Sequence, residues 1–186
     1  MTNWKNLLRD DIERFNALIH NLPAEQRTML KGANLSNLDL TNADLEACDL
    51  SGTNLSDSKV PGYKLSTCRL QGTILTGITV DNAYWETPIR QIEMIWKGAD
   101  TWNQFRKTNT PHILSGTYFS NGRFQKIDFS DMNFASSVFI DAHFTGTILN
   151  EASFNGTTMD NAAFRNIDAY IVSFDEASLN NTQWLD

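Results

Sequence analysis

The sequence predicts an all-β solenoid, because a large apolar residue recurs at every fifth position through most of its length. These residues, called centres below, run from Leu35 to Trp85 and, in a shifted phase, from Leu114 to Trp184. Among these 26 centres only Ala169 is small. A period of five fits neither an α-helix nor a flat strand, whose side chains repeat every 3.6 and two residues. It requires a backbone that turns a corner every five residues and points one side chain per segment at a common axis.

Two further columns of the repeat indicate the same architecture. Residues two positions before a centre are mostly small, as at Ala43, Thr53 and Ser137, which suits a second inward position. Eight of the ten glycines lie two positions after a centre, as Gly52 and Gly62 do. Such residues tolerate the positive φ angles that sharp corners often need. Three columns of one repeat therefore predict small, regular coils.

The segments 33–37, 43–47 and 53–57 read ANLSN, ADLEA and TNLSD. They resemble the A-(D/N)-L-x-x pattern of the pentapeptide-repeat family, and the resemblance extends over about 125 of the 186 residues. It implies a right-handed quadrilateral β-helix with four pentapeptides, or twenty residues, in each coil. On this chain the first run would make about three coils and the second nearly four.

Each run is preceded by a predicted amphipathic helix. Apolar residues spaced three or four apart predict the first helix over residues 3–21, with Thr2 or Asn3 as its N-cap and Pro23 at its end. The second helix is expected from Thr87, as N-cap, to about Lys107, with Gly98 as a weak point. The resulting organisation is a capping helix, a first β-helix, a second cap and a second β-helix, over residues 1–30, 31–86, 87–112 and 113–186.

Two interpretations of the interruption remain open. The segment 102–106, WNQFR, resembles the W-N-x-W/F-R segment that often precedes pentapeptide repeats, which favours the same helix-then-rod unit built twice. A solenoid has open ends, and a helix with one apolar face is a natural lid for them. Alternatively, residues 86–112 loop out of one continuous β-helix.

The two cysteines, Cys48 and Cys68, are one coil apart in the small inward column. A disulfide between them is conceivable, but two reduced, buried thiols are the favoured interpretation and suit a cytoplasmic protein. Residues 1–11 lack the apolar core of a secretory signal. The sequence also has no apolar stretch long enough to span a membrane.

Charge is unevenly distributed along the chain. The formal net charge is −7, and residues 114–186 hold nine acidic residues against Arg123, Lys126 and Arg165. The second run should therefore repel nucleic acid and attract a basic groove, although a merely solvated surface explains the same residues. The candidate acidic interaction face consists of Asp128, Asp131, Asp141, Glu151, Asp160 and Asp168.

No catalytic, cofactor-binding or metal-binding constellation is expected. His20, His112 and His143 are scattered along the sequence, and no phosphate-binding or nucleophile-elbow motif occurs. Asp131 and Glu151 are one coil apart on one side, but an exposed acidic ladder explains them better than a cation site does. The sequence thus argues against an enzyme.

The last coil is expected to present Phe174, Leu179 and Trp184 at an uncovered end, which predicts a homodimer through that end. Our leading hypothesis is a non-catalytic protein-binding or scaffold module with an unidentified protein partner. The alternative follows from the family resemblance, since members that confer quinolone resistance are acidic DNA mimics of type II topoisomerases such as DNA gyrase. Positive charge in mid-chain weakens that alternative; it comes from Arg90, Lys97, Arg106 and Lys107.

Overall fold

A computed structural model describes residues 3–81, 86–110 and 113–186. Several residues to which the sequence assigned a role lie outside these ranges, namely Thr2, Ala83, Trp85 and His112. The chain divides into two compact units, Met1–Glu93 and Met94–Asp186. Each unit is described by itself.

The first unit begins with two helices and not with the single helix expected over residues 3–21. These are α1, Trp4–Asp10, and α2, Ile12–His20. Asp11 interrupts them because its carboxylate accepts a hydrogen bond from the backbone N–H of Arg14 and so acts as the N-cap of α2. The side chain of Asn3 caps α1 in the same way.

The first run of repeats follows a short 3-10 turn, Ala24–Gln26. Its centres from Leu35 to Leu75 are buried, and Leu30 occupies an additional centre. Strands β1, Lys59–Val60, and β2, Thr79–Val80, pair in parallel with Lys59 opposite Thr79. Isolated parallel bridges such as Asn34 to Asn54 have the same separation of twenty residues. The first run is therefore a stack of twenty-residue coils.

One corner of the first run departs from the predicted pattern. Gly62, expected as a sharp turn, is the first residue of a short helix, α3, Gly62–Ser66. Pro61 precedes this helix at φ −73°, an angle that suits the start of a helical turn. Leu65 within α3 is still fully buried, so the helix changes the backbone path without losing the centre.

Two helices, α4, Glu86–Trp96, and α5, Ala99–Arg106, replace the continuous second helix that the sequence predicted. Gly98 separates them at φ +101°, an angle that favours glycine. Thr87 lies inside α4, so its expected N-cap position was wrong. The boundary between the two units falls within α4.

The second run forms four parallel strands in the order β3–β4–β5–β6. They are β3, Arg123–Gln125; β4, His143–Thr145; β5, Ala163–Arg165; and β6, Gln183–Leu185. Phe124, Phe144, Phe164 and Trp184 are register partners, so each coil again contains twenty residues. The four pentapeptides of a coil make its four sides. Side 1 contains centre Phe119, side 2 Phe124, side 3 Phe129 and side 4 Phe134, each with its equivalents at intervals of twenty.

Stacked aromatic rings fill the interior of the second run. On side 2 the ring centroids of Phe144 and Phe164 are 4.6 Å apart, and those of Phe164 and Trp184 are 4.3 Å apart. On side 1 the rings of Phe119 and Phe139 stack at 5.1 Å. This packing leaves the outward surfaces of the sides for contact with other molecules.

The corners and the small column match the prediction closely. Among the described residues, every one at positive φ except Gly98 lies two positions after a centre. In the small column, the hydroxyl groups of Thr53, Ser137 and Thr147 donate to the carbonyl of the centre 23 residues earlier. These hydrogen bonds satisfy buried polar groups and join neighbouring coils.

Candidate functional site

The predicted acidic residues lie on two opposite sides of the second run. Asp141 and Asp160 belong to side 1, where they follow the centres Phe139 and Met159. The other four belong to side 3 and extend over three successive coils, namely Asp128, Asp131, Glu151 and Asp168. The six residues therefore do not form one face. Side 3 alone presents a continuous acidic ladder.

A cation from α5 already occupies the first coil of that ladder. Arg106 Nη1 lies 2.5 Å from Asp128 Oδ1, and Arg106 Nη2 lies 3.7 Å from Asp131 Oδ2. The Arg106 side chain is 12% exposed, whereas that of Asp131 is 61% exposed. The guanidinium also donates to the carbonyl oxygens of Asp128 and Ser130. Arg106 therefore reduces the negative charge of side 3 where the ladder begins.

Side chains of α5 form hydrogen bonds with backbone groups of this coil that would otherwise pair with a strand of a preceding coil. Asn103 donates from Nδ2 to the carbonyl of Lys126 at 3.0 Å and accepts from the N–H of Asp128 at 2.9 Å. Trp102 Nε1 donates to the carbonyl of Asp128 at 2.6 Å. Together with Arg106, these groups satisfy backbone positions that a preceding coil would otherwise pair.

The first unit has the same arrangement at equivalent repeat positions. Asn16 of α2 donates to the carbonyl of Asn42 at 2.8 Å and accepts from the N–H of Asp44 at 2.7 Å. Arg27 donates to the carbonyl of Glu46 at 2.7 Å, as Arg106 does to that of Ser130. The sequence suggested lids with apolar faces but did not reveal these polar contacts. The sequence feature that could have indicated these contacts is an Asn directly after a buried aromatic residue, as in Phe15-Asn16 and Trp102-Asn103.

Neighbouring coils restrain two of the remaining carboxylates. Ser178 Oγ donates to Asp160 Oδ1 at 2.6 Å, and this bond is the main reason that the pKa of Asp160 is lowered. Asn150 Nδ2 donates to Asp168 Oδ2 at 3.3 Å. The contact from Ser178 favours the ionised carboxylate of Asp160 at neutral pH.

The sequence analysis did not locate the cations of the second run within the coil. Arg123, Lys126 and Arg165 all lie on side 2, together with His143. All four residues are exposed, while the side 2 centres between them are buried. Charge in this run is thus unevenly divided: six of its nine carboxylates are on sides 1 and 3, Asp175 and Glu176 are on side 4, and all three cations are on side 2 with Asp186. The twenty-residue spacing of the repeat was enough to place the three cations on one side, but the sequence analysis did not assign them to sides.

The predicted dimer end is incompletely covered. Phe174 and Leu179 are half-buried, and Trp184 is 52% exposed although its ring stacks on Phe164. Tyr170 and Ile171, which the sequence analysis did not single out, are 65% and 67% exposed. Of the eight large apolar residues exposed among the described residues, four therefore lie in the last coil, namely Tyr170, Ile171, Trp184 and Leu185.

Ile171 combines this exposure with an unusual backbone conformation. Its φ of +52° lies in the left-handed region, which a β-branched side chain rarely adopts. The preceding centre, Ala169, is small and exposed, so this pentapeptide has no buried bulky centre. Strain at an exposed residue without compensating burial is a feature that functional surfaces often show.

The buried thiols are free cysteines. Burial raises the pKa of Cys48 to about 12 and that of Cys68 well above its ordinary value. Cys68 Sγ donates to the carbonyl of Leu45 at 2.9 Å. His20 and His143 are exposed. In the part of the chain that the structure describes, no group of His, Cys, Asp or Glu could hold a metal ion.

A hollow of about 430 Å³ lies in the first unit, where the last coil meets α4. Leu75, Val80 and Ile89 line it, together with Glu86 and Arg90. Its mixed lining presents no arrangement of nucleophile, base and oxyanion-binding groups. Within the described ranges, no helix is sufficiently long and apolar to cross a membrane.

Comparison with known proteins supports the repeat assignment. The sequence model of the family described as pentapeptide repeats matches eight copies, over residues 26–62, 113–150 and 137–170. No curated protein matches significantly. Among solved structures, full-length QnrB1, a plasmid-mediated fluoroquinolone resistance protein, is 17% identical with a TM-score of 0.30 and covers 82% of this chain and 67% of its own. A trypsin-treated QnrB1 variant is 15% identical with a TM-score of 0.24, at 84% and 67% coverage.

The family model covers about half of the chain, and the ranges that it matches contain coils with buried centres and parallel pairing at twenty-residue intervals. The predicted resemblance is thereby confirmed. This chain belongs to the pentapeptide-repeat family.

Proposed function

We propose that this protein is a non-catalytic module that binds a protein partner through the outward sides of its repeat coils. The observation that carries the proposal is the division of roles in each coil. Centres such as Phe139 and Phe144 fill the interior, while each side presents flat rows of exposed side chains at a fixed spacing. Because the interior is filled by side chains, a partner would be recognised by the exposed rows on the outside of the coils.

A co-purification experiment tests this proposal. The tagged protein is recovered from its host cells after mild cross-linking and compared with Phe139→Asp, which removes the folded second unit, and with Phe139→Leu as a folded control. We expect one protein partner to be retained by the unaltered chain and by Phe139→Leu but lost with Phe139→Asp. Recovery of the same protein with all three forms would contradict binding by the folded repeats.

A second candidate function, DNA mimicry of a type II topoisomerase such as DNA gyrase, is favoured by one specific observation. Side 3 carries carboxylates in three successive coils, as a phosphate backbone would present successive charges. Arg106 at its first coil and the cations of side 2 weaken the resemblance to a duplex.

An assay of DNA supercoiling by gyrase tests this second candidate function. The protein is titrated at low salt beside a variant with Glu151→Gln and Asp168→Asn. Inhibition at low micromolar concentration that the variant loses would establish mimicry. An absence of inhibition up to about a hundred micromolar would eliminate it.

We further propose that the helices cap the open ends of the coils, as α5 does through Asn103 and Arg106. The same hydrogen bonds at Asn16 and Arg27 support a cap for the first unit. Unpaired strand edges invite association with other chains, so such side chains protect the coil.

Homodimerisation through the last coil is proposed from its exposed apolar surface, Phe174, Leu179 and Trp184. Light scattering at tens of micromolar should give twice the chain mass, and Trp184→Glu should give the monomer. A monomer for the unaltered protein would contradict this proposal. The two reduced thiols support a cytoplasmic location, which cell fractionation tests.

A further inference from the structure

Side 2 of the second run consists of strands β3–β6 and the corner residue that follows each of them. It contains all three lysine and arginine residues of segment 114–186, Arg123, Lys126 and Arg165, with His143 between them. The carboxylate of this side is Asp186, in the last coil. Side 2 is therefore positively charged in a run whose net charge is negative.

Strand register places these cations in a compact array. Arg123 is the partner of His143, and Thr145 is the partner of Arg165. Because neighbouring strands are about 4.8 Å apart, the backbone positions of Arg123 and Arg165 are separated by about 10 Å across the strands. Four paired strands span about 14 Å in that direction.

The cations have few intramolecular partners. Over the described residues, the side chains of Lys126 and Arg165 make no hydrogen bond or ion pair. Arg123 Nη1 donates to carbonyl oxygens, including that of Asp141 at 3.0 Å, and to no carboxylate. The first run differs, because Lys59 lies 3.8 Å from Asp39 and so pairs with an acid of the coil below it. Since these three cations form no ion pair with a carboxylate among the described residues, they are available for an external anion.

We propose that side 2 docks an acidic, extended segment of a protein partner. The inference rests on the proposed protein-binding function and names the side and the chemistry of its partner. A short acidic peptide of three or four extended residues matches a cation array about 10 Å long. A long polyanion such as nucleic acid would extend beyond it and meet the carboxylates of sides 1 and 3, among them Asp141 at the adjoining corner.

The test compares two variants of the full chain with the same change in net charge. Lys126→Asn with Arg165→Gln removes two charges from side 2. The control, Ser136→Asp with Asn155→Asp, adds two negative charges to side 4, opposite side 2. Lys126 and Ser136 have positive φ, which Asn and Asp tolerate. Asn155→Asp keeps the oxygen that accepts from Ser173 Oγ and from the N–H of Asp175, so neither variant strains the coil.

Binding is measured by fluorescence anisotropy with a labelled peptide of four glutamates, about 13 Å long when extended, and, separately, with a labelled single-stranded oligonucleotide of twenty thymidines, in about 20 mM salt. We expect the peptide to bind and the side 2 variant to bind it roughly three- to tenfold more weakly, since each exposed charge contact contributes a small factor. The control variant should change affinity less than twofold.

Several results would overturn the inference. One is that the peptide does not bind at millimolar concentration, and another is that both variants weaken its binding equally. A third is that the oligonucleotide binds side 2 more tightly than the peptide does, which would assign the side to nucleic acid. Light scattering in the same buffer detects self-association, and its loss in the side 2 variant would assign the side to a second copy. If the peptide fails but co-purification still yields a partner, only this inference falls and the proposed function stands.

Discussion

Replacement of Phe139 tests the assignment of the centres to the core. Its side chain is fully buried, and its ring lies 5.1 Å from that of Phe119 and 5.3 Å from that of Phe134. Truncation of a buried phenylalanine to alanine costs about 3–5 kcal/mol, which includes the cavity that remains. A domain of ordinary stability has about 5–15 kcal/mol in total. Phe139→Ala should therefore remove a large fraction of the free energy of unfolding of the second unit.

Urea denaturation followed by amide hydrogen exchange over residues 114–186 measures this loss without interference from the first unit. Phe174→Ala is the matched control, because Phe174 is only half-buried and its truncation should cost clearly less. Phe139→Asp, which buries an unpaired carboxylate, should leave the segment unprotected even without urea. An unchanged midpoint for Phe139→Ala, or a larger loss for Phe174→Ala, would refute the inward assignment.

Three further predictions concern other parts of the chain. Asn103→Ala should lower the free energy of unfolding of the second unit by about 1–3 kcal/mol, since it leaves the N–H of Asp128 without its acceptor; Asn109→Ala is the control. Ile171→Asn should raise the stability by about 1 kcal/mol, because Asn adopts the left-handed region at lower cost; a loss of stability would contradict the strain. The raised pKa of Cys48 stabilises the fold fully below pH 9, the ordinary range of a thiol, and this contribution is lost as pH rises from about 9 towards 12. Chemical unfolding at pH 8 and 10.5 should therefore show a larger alkaline loss for the unaltered protein than for Cys48→Ala.

The repeat itself was predictable because each position of a pentapeptide restricts the residues that it accepts. A bulky centre such as Leu45 or Phe134 must be buried, and a corner residue such as Asn37 must tolerate positive φ, so spacing alone defines the coil. The corners also contain residues that rarely adopt positive φ. Lys126 and Ile171 occupy the same conformation, because the pairing of neighbouring coils imposes it.

The helix interruptions and polar contacts were harder to predict. Asp11 and Gly98 divide helices whose apolar spacing continues across the break, since a local N-cap and a left-handed angle outweigh periodicity. The role of Asn103 depends on a strand edge 25 residues away, which no local pattern reveals. The segregation of charge by side also required the register of the coils.

Site-specific photo-cross-linking in host cells tests the central claim, that partners bind the outward sides of folded coils. A photoreactive amino acid is placed at one side 2 column, Gln125 and Thr145, and at one side 4 column, Ala135 and Asn155. We predict that residues twenty apart on one side give the same cross-linked protein, while the other side gives none. Cross-links without a twenty-residue pattern, or none from the side 2 column, would contradict the account.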